Sequence, residues 1–193
     1  MFSTWIKPII TYGIIWPLTQ LFTEKFAHNH FFTDIKLPDI GHELTKPLQP
    51  YISPLKPLKE TMVYIPIIYS VYIFSGHLLD KFLSFICTIF IIRCLFYSVT
   101  LLPQPSHKSR IKSRWKRILY GGLHDIIFSG HVANYYGTLL FLQHHYIIPT
   151  TLFPFLSSLF IGLVAITYQD HYTIDILVSY PVIWSLELFI LKH

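Results

Sequence analysis

Two histidines and an aspartate have types and spacing suited to nucleophilic attack and proton transfer. The segment Gln169-Asp170-His171-Tyr172-Thr173-Ile174-Asp175 sets His171 and Asp175 four residues apart at a helix start, so both side chains can share one helix face. A carboxylate so placed holds an imidazole in one tautomer and raises its basicity, making a base with its orienting partner. The tetrapeptide Phe128-Ser129-Gly130-His131 supplies a second imidazole, yet the same four letters also occur at Phe74 to His77. Which copy stands beside His171 depends on the elements that carry them.

Those elements are set by an unusually apolar composition. Of 193 residues, 52% are hydrophobic, 17% aromatic and only 13% charged, and the mean hydropathy is +0.48, which is high for an aqueous domain of this size. Crossing a hydrocarbon layer takes about 20 mostly apolar residues, and six runs of roughly that length occur. They cover about Ile6–Phe22, Met62–Leu79, Phe82–Leu102, Ile126–Leu142, Ile148–Tyr168 and Ile174–Leu191. The first has neither a basic leader nor a small-x-small cleavage site, so it is read as a span rather than a signal peptide. The expected fold is all-α: one domain over residues 1–193, a six-span transmembrane helical bundle with both termini on the same side.

Six crossings define two faces. The terminal face carries both chain ends, the Asp80-Lys81 turn and the link at His144-His145. The loop face receives the long segment Thr23–Thr61, the basic segment Pro103–Asp125 and the short link Gln169–Thr173. Long polar loops make the loop face the place to expect a site. His77 falls at the terminal face and His131 near the loop face, so at 1.5 Å per residue their depths differ by roughly 20 Å. His131 is therefore the copy expected to work with His171. His77 is read as a polar cap at the membrane interface.

Phe128-Ser129-Gly130-His131 followed by His171-Tyr172-Thr173-Ile174-Asp175 resembles the paired signature of the sphingomyelin synthases and related sphingolipid synthases, within the type 2 phosphatidic acid phosphatase superfamily. The likeness extends upstream through Lys36-Leu37-Pro38-Asp39, Arg93 to Pro105 and Arg114 to Gly122, in the same order over nearly the whole chain. Where that family usually has Cys-Gly-Asp this chain has Leu123-His124-Asp125, and Val132 stands where a threonine often follows the histidine. The phosphatase branch's Lys-x6-Arg-Pro element, and its Ser-Arg before the last signature histidine, do not occur, which favours the synthase branch.

The resemblance implies a membrane transferase that moves a phospho-alcohol head group from a phospholipid donor to ceramide or diacylglycerol through a phosphohistidine-type intermediate. His171, with Asp175, would attack phosphorus; His131 would protonate the leaving alkoxide and then activate the acceptor hydroxyl. Ser129 and Gly130 open a helix whose backbone N–H groups can meet phosphate oxygens. Arg114, Arg117 and Asp125 lie closest to the signature in the basic segment. Arg93 sits inside the third span, where a charge costs about 2.5 to 3.5 kcal/mol and must face the bundle interior with a partner. No cofactor is expected, and no metal, because His28, His30 and His42 have no Cys partners or His-Glu-x-x-His frame. Nor is nucleic acid: with most of the chain in a bilayer, lipid is the simpler polyanionic partner of a chain with pI near 9.1.

Two rival functions share these features: a lipid phosphate phosphatase, in which water is the acceptor, and a non-catalytic lipid-binding membrane protein. Lys and Arg number eleven on the loop face (five in the first segment, six in the basic one) and three on the terminal face. That count would put the loop face in the cytosol, whereas the resemblance implies a lumenal or extracellular active site on a multi-pass membrane protein, and the latter is the expectation adopted.

Overall fold

The computed structural model describes residues 2–30, 37–100, 102, 128–145, 147–150 and 152–191. The described chain is all-α. Helix α1 (Phe2–Ile10) continues through a π-helical turn at Thr11–Ile15 into α2 (Trp16–His30). Pro17 has no N–H to close a normal turn and its ring crowds the preceding one; the wider π turn just before it absorbs both defects without ending the helix. Long helices follow at α5 (Lys56–Ile73), α6 (Gly76–Val99) and, after the basic segment, α7 (Gly130–His144). They are followed by α8 (Leu152–Thr167) and α9 (Thr173–Leu191).

The Pro and Lys richness of Pro47–Lys59 reads as an extended surface loop, yet that stretch is helical. Helix α3 (Ile40–Thr45), a 3₁₀ turn at Lys46–Leu48, α4 (Gln49–Ile52) and a second 3₁₀ turn at Ser53–Leu55 lead directly into α5. Its prolines fall at helix starts, where the missing N–H costs nothing and the fixed φ favours a helix. The second expectation corrected is the position of a turn. The chain reverses at Phe74-Ser75, ahead of the Asp80-Lys81 pair, because Gly76 supplies a left-handed residue (φ 54°) there. His77 accordingly lies in the first turn of α6 and is exposed.

Helix α7 is the centre of the bundle, packed by α5, α6, α8 and α9. Val132, Ala133, Leu139 and Phe141 are buried along it, and Gly137 lets the Ile89 side chain approach so closely that a Cβ would stand 2.7 Å from it. The surrounding helices turn large apolar side chains outward, among them Tyr64, Ile68 and Tyr72 on α5, Leu95 and Val99 on α6, Phe153 and Leu156 on α8, and Leu177 and Trp184 on α9. By length and hydropathy together, Thr173–Ile190 is the one stretch among the described residues that meets the requirement for crossing a membrane; α8 is apolar but shorter. Helices α5 and α6 carry charges within their length, and α7 has 15 residues.

The two ends of the bundle differ. At one, Lys7 Nζ contacts both Asp80 oxygens at 3.0 Å, Glu187 meets His144 at 3.3 Å, and the His145 ring lies 6.1 Å from that of Phe74. The starts of α7 and α9 lie at the other.

Candidate active site

His131 lies in the first turn of α7, whereas His171 lies two residues before α9 rather than on a helix face shared with Asp175, and each follows a residue in the left-handed region. Phe128 (φ 67°) precedes α7 and Gln169 (φ 58°) precedes the turn into α9. Such backbone is strained for a side chain with a Cβ, costing about 1–2 kcal/mol, and persists where packing overrides it. The fully buried Phe128 ring stacks on Phe96 with centroids 5.6 Å apart. Ser129 then caps α7, its Oγ accepting the Val132 N–H, while the Ser129 N–H donates to the Asp175 backbone oxygen at 3.3 Å. This last bond ties the starts of α7 and α9 together.

The tie brings the two imidazoles to face each other. The His131 and His171 rings are 6.1 Å apart and inclined at 72°. Asp175, fully buried, reaches back with Oδ2 3.7 Å from His171 Nδ1 and accepts the Tyr172 N–H at 2.8 Å on the same oxygen. Its Oδ1 is buried with no hydrogen-bond partner among the described residues, an expensive arrangement that points to a role other than stability.

His131 has a carboxylate of its own. Glu60, from the first turns of α5, places Oε2 2.8 Å from His131 Nε2. Its other oxygen meets Lys59 Nζ at 2.9 Å, and the same ammonium meets Asp170 at 2.7 Å, with Lys56 3.6 Å from the second Asp170 oxygen. Lys59 is fully buried. Burial alone would lower its pKa, but the two carboxylates outweigh that and raise it. Burial likewise would raise Glu60, yet the His131 hydrogen bond and charge, with those of Lys59, hold it down at about 2. One buried ammonium thus joins the partner of His131 to the neighbour of His171.

A second brace comes from α3. Asp39 caps it and also accepts from Thr173, at 2.8 Å from the backbone N–H and 2.6 Å from the hydroxyl. These bonds, with that from the His42 N–H, keep its carboxyl below the usual range despite the opposing effect of burial. The His42 Nε2–H donates to the His171 backbone oxygen at 2.8 Å, and the Leu37 N–H donates to the Tyr172 hydroxyl at 3.3 Å. Gly41 is required here, since a Cβ would run into the Thr173 hydroxyl.

Arg93 joins the site from α6. Its guanidinium lies over the rings of Trp16 and Phe90, 5.2 Å and 5.8 Å from their centroids, and a Cβ added to Gly130 would be 2.5 Å from Nη1. The cation therefore rests on the opening turn of α7, beside the backbone N–H groups of the helix start. Of the residues singled out in the sequence, His131, His171, Asp175, Ser129, Gly130 and Arg93 are brought together; Arg114, Arg117 and Asp125 lie outside the described residues. Sequence reading missed Lys59, Glu60, Asp170 and the bracing roles of Asp39 and His42. His77 lies in the first turn of α6 and Arg93 16 residues, or about 24 Å, further along it, so the first Phe-Ser-Gly-His copy is remote from this cluster.

Among the described residues no group of His, Cys, Asp and Glu has the arrangement of a metal centre. What the cluster offers is two imidazoles, each backed by a carboxylate, with a guanidinium and a helix N-terminus alongside. This suits a tetrahedral anion attacked from one side and protonated from the other. Set against known proteins, the chain matches no family model and no curated protein sequence.

Proposed function

We propose that this chain is a six-span integral membrane enzyme that transfers a phospho-alcohol head group from a glycerophospholipid to ceramide or a related lipid acceptor. The observation that carries the reading is the opposition of His131 and His171 across 6.1 Å, with Glu60 behind the first and Asp175 behind the second. Resemblance to the sphingolipid synthases supports it independently, through the residues of the two motifs.

In the first half-reaction His171 Nε2 attacks phosphorus, with Asp175 stabilising the charge that develops at Nδ1. A nitrogen–phosphorus bond forms, the bond from phosphorus to the donor's glycerol oxygen breaks, and His131 gives that alkoxide a proton. In the second, neutral His131 takes the proton of the acceptor hydroxyl, whose oxygen displaces His171 and forms the new phosphodiester. Glu60 on Nε2 leaves Nδ1 of His131 to carry the proton both ways. Arg93 and the opening N–H groups of α7 balance the charge on the phosphoryl oxygens.

The membrane setting rests on the many outward-facing large apolar side chains around a buried central helix. The six runs of the sequence are then the six spans. The contacts of Lys7 and Glu187 at the end remote from His131 support both termini on one face. The face carrying the site is read as lumenal or extracellular. A groove of about 440 Å³, lined by Ile92, Pro181, Val182, Leu186 and Phe189, opens on the flank between α6 and α9. Its lining is apolar apart from Ser185 and suits an acyl chain.

The covalent intermediate gives the test. Protein given head-group-labelled phosphatidylcholine, phosphatidylethanolamine or phosphatidylinositol without acceptor, then quenched in alkali, should retain acid-labile label on the chain, and His171→Ala should retain none. Label that never appears with any donor, or persists in His171→Ala, contradicts the mechanism.

A further inference from the structure

We propose that the helical segment Ile40–Tyr51 is an interfacial collar, its apolar stripe seated at the boundary of head groups and acyl chains in the bilayer that the spans cross. This rests on the membrane reading given above and adds to it a lipid-contacting surface outside the spans.

The segment has three faces. His42, Thr45 and Ile52 point inward and are buried. Ile40 and Tyr51 are 79% exposed, Leu44 is 73% and Leu48 41%, an unusual burden of apolar surface for so short a stretch. At about 100° per residue in the α-helical turns and about 120° through the 3₁₀ turn, these four fall within about 140° of one another, and Glu43 and Lys46 lie about 60° and 100° to the other side of Ile40. Two exposed faces, one apolar and one charged, mark a helix lying where water meets hydrocarbon. The 3₁₀ turn at Lys46–Leu48 rotates the stripe by about 60° on its way from α3 to α4, which broadens it, and Leu48 and Tyr51 remain exposed.

The depth of the stripe is fixed by the rest of the fold. Asp39 holds Thr173, Gly41 lies against the Thr173 hydroxyl, and His42 holds the His171 backbone oxygen. The collar is thereby pinned to the first turn of α9, whose exposed Ile174 and Leu177 continue the apolar surface toward the hydrocarbon. Tyr51, Lys46 and Lys56 supply the amphipathic ring and cations that settle among head groups. Through the same bonds, the bilayer surface sets the level at which His171 meets a head-group phosphate.

Spin-label accessibility tests the placement. Leu44→Cys, Glu43→Cys and Leu177→Cys are each made in a full chain whose buried Cys87 and Cys94 are replaced by alanine, labelled with a nitroxide and reconstituted into phosphatidylcholine–phosphatidylserine vesicles. The label at position 44 should be severalfold more accessible to oxygen than to a water-soluble nickel chelate, with the order reversed at 43. A chelate-accessible label at 44, or one shielded from both reagents by a protein partner, overturns the collar while a lipid-exposed label at 177 leaves the spans standing. Chelate access at both 44 and 177 overturns the membrane reading itself.

Discussion

Glu60 Oε2 lies 2.8 Å from His131 Nε2, although 71 residues separate the two in the chain. The carboxylate fixes which imidazole nitrogen is left for substrate, so His131 has an orienting partner just as His171 has Asp175. Glu60→Gln is expected to lower kcat by about 10²-fold, since proton transfer by a positioned histidine contributes on that scale. The carboxylate also links stability to pH. Its pKa falls from the ordinary 4.5 to about 2 in the folded protein, so its stabilisation is complete above about 4.5 and is lost as pH falls toward about 2. Unfolding in detergent between pH 5 and 2 should show a shallower loss in Glu60→Gln than in the unaltered protein; identical slopes would remove Glu60 from the linkage.

The repeated tetrapeptide gives a second expectation. His131→Ala should abolish turnover, whereas His77→Ala, at the far end of α6 and exposed, should leave most of it. Equal losses in two variants that both fold and insert would contradict the separation of the two ends.

Asp175→Asn separates orientation from folding. The amide oxygen can still accept the Tyr172 N–H that Asp175 Oδ2 accepts at 2.8 Å, so the turn into α9 should persist. An amide cannot stabilise the imidazolium or enforce its tautomer, and the rate should drop by about 10³-fold or more. Near-normal activity in that variant would take Asp175 out of the mechanism.

Much of the site was legible because it is local. The Ser-Gly pair before His131 is a helix-start pattern and opens α7 as such; His171 and Asp175 also flank a helix start, although α9 begins at Thr173, so His171 stands just ahead of the helix. Arg93, a cation inside an apolar run, was expected to need company, and it has Trp16 and Phe90. Lys59 and Glu60 were not legible. They sit among prolines that read as an extended loop, and their partners Asp170 and His131 are 111 and 71 residues away. The turn at Phe74-Ser75 was missed for a different reason: a charged pair such as Asp80-Lys81 suggests a membrane boundary, but Gly76 decided the backbone reversal, and Asp80 found a partner in Lys7.

Synthase and phosphatase share the attack by His171 and differ in what approaches the intermediate, so the most direct test follows the labelled head group. Purified protein is given labelled phosphatidylcholine, phosphatidylethanolamine or phosphatidylinositol with ceramide or diacylglycerol, and in parallel phosphatidic acid alone. Tyr172, next to His171, is buried, as are Tyr135 and Tyr136 on α7, and head-group transfer requires that water be kept from the intermediate. A labelled exchanged lipid should form with at least one donor, and inorganic phosphate should leave phosphatidic acid slowly by comparison. Dominant phosphate release with no exchanged lipid from any donor would contradict head-group transfer and make the chain a lipid phosphatase.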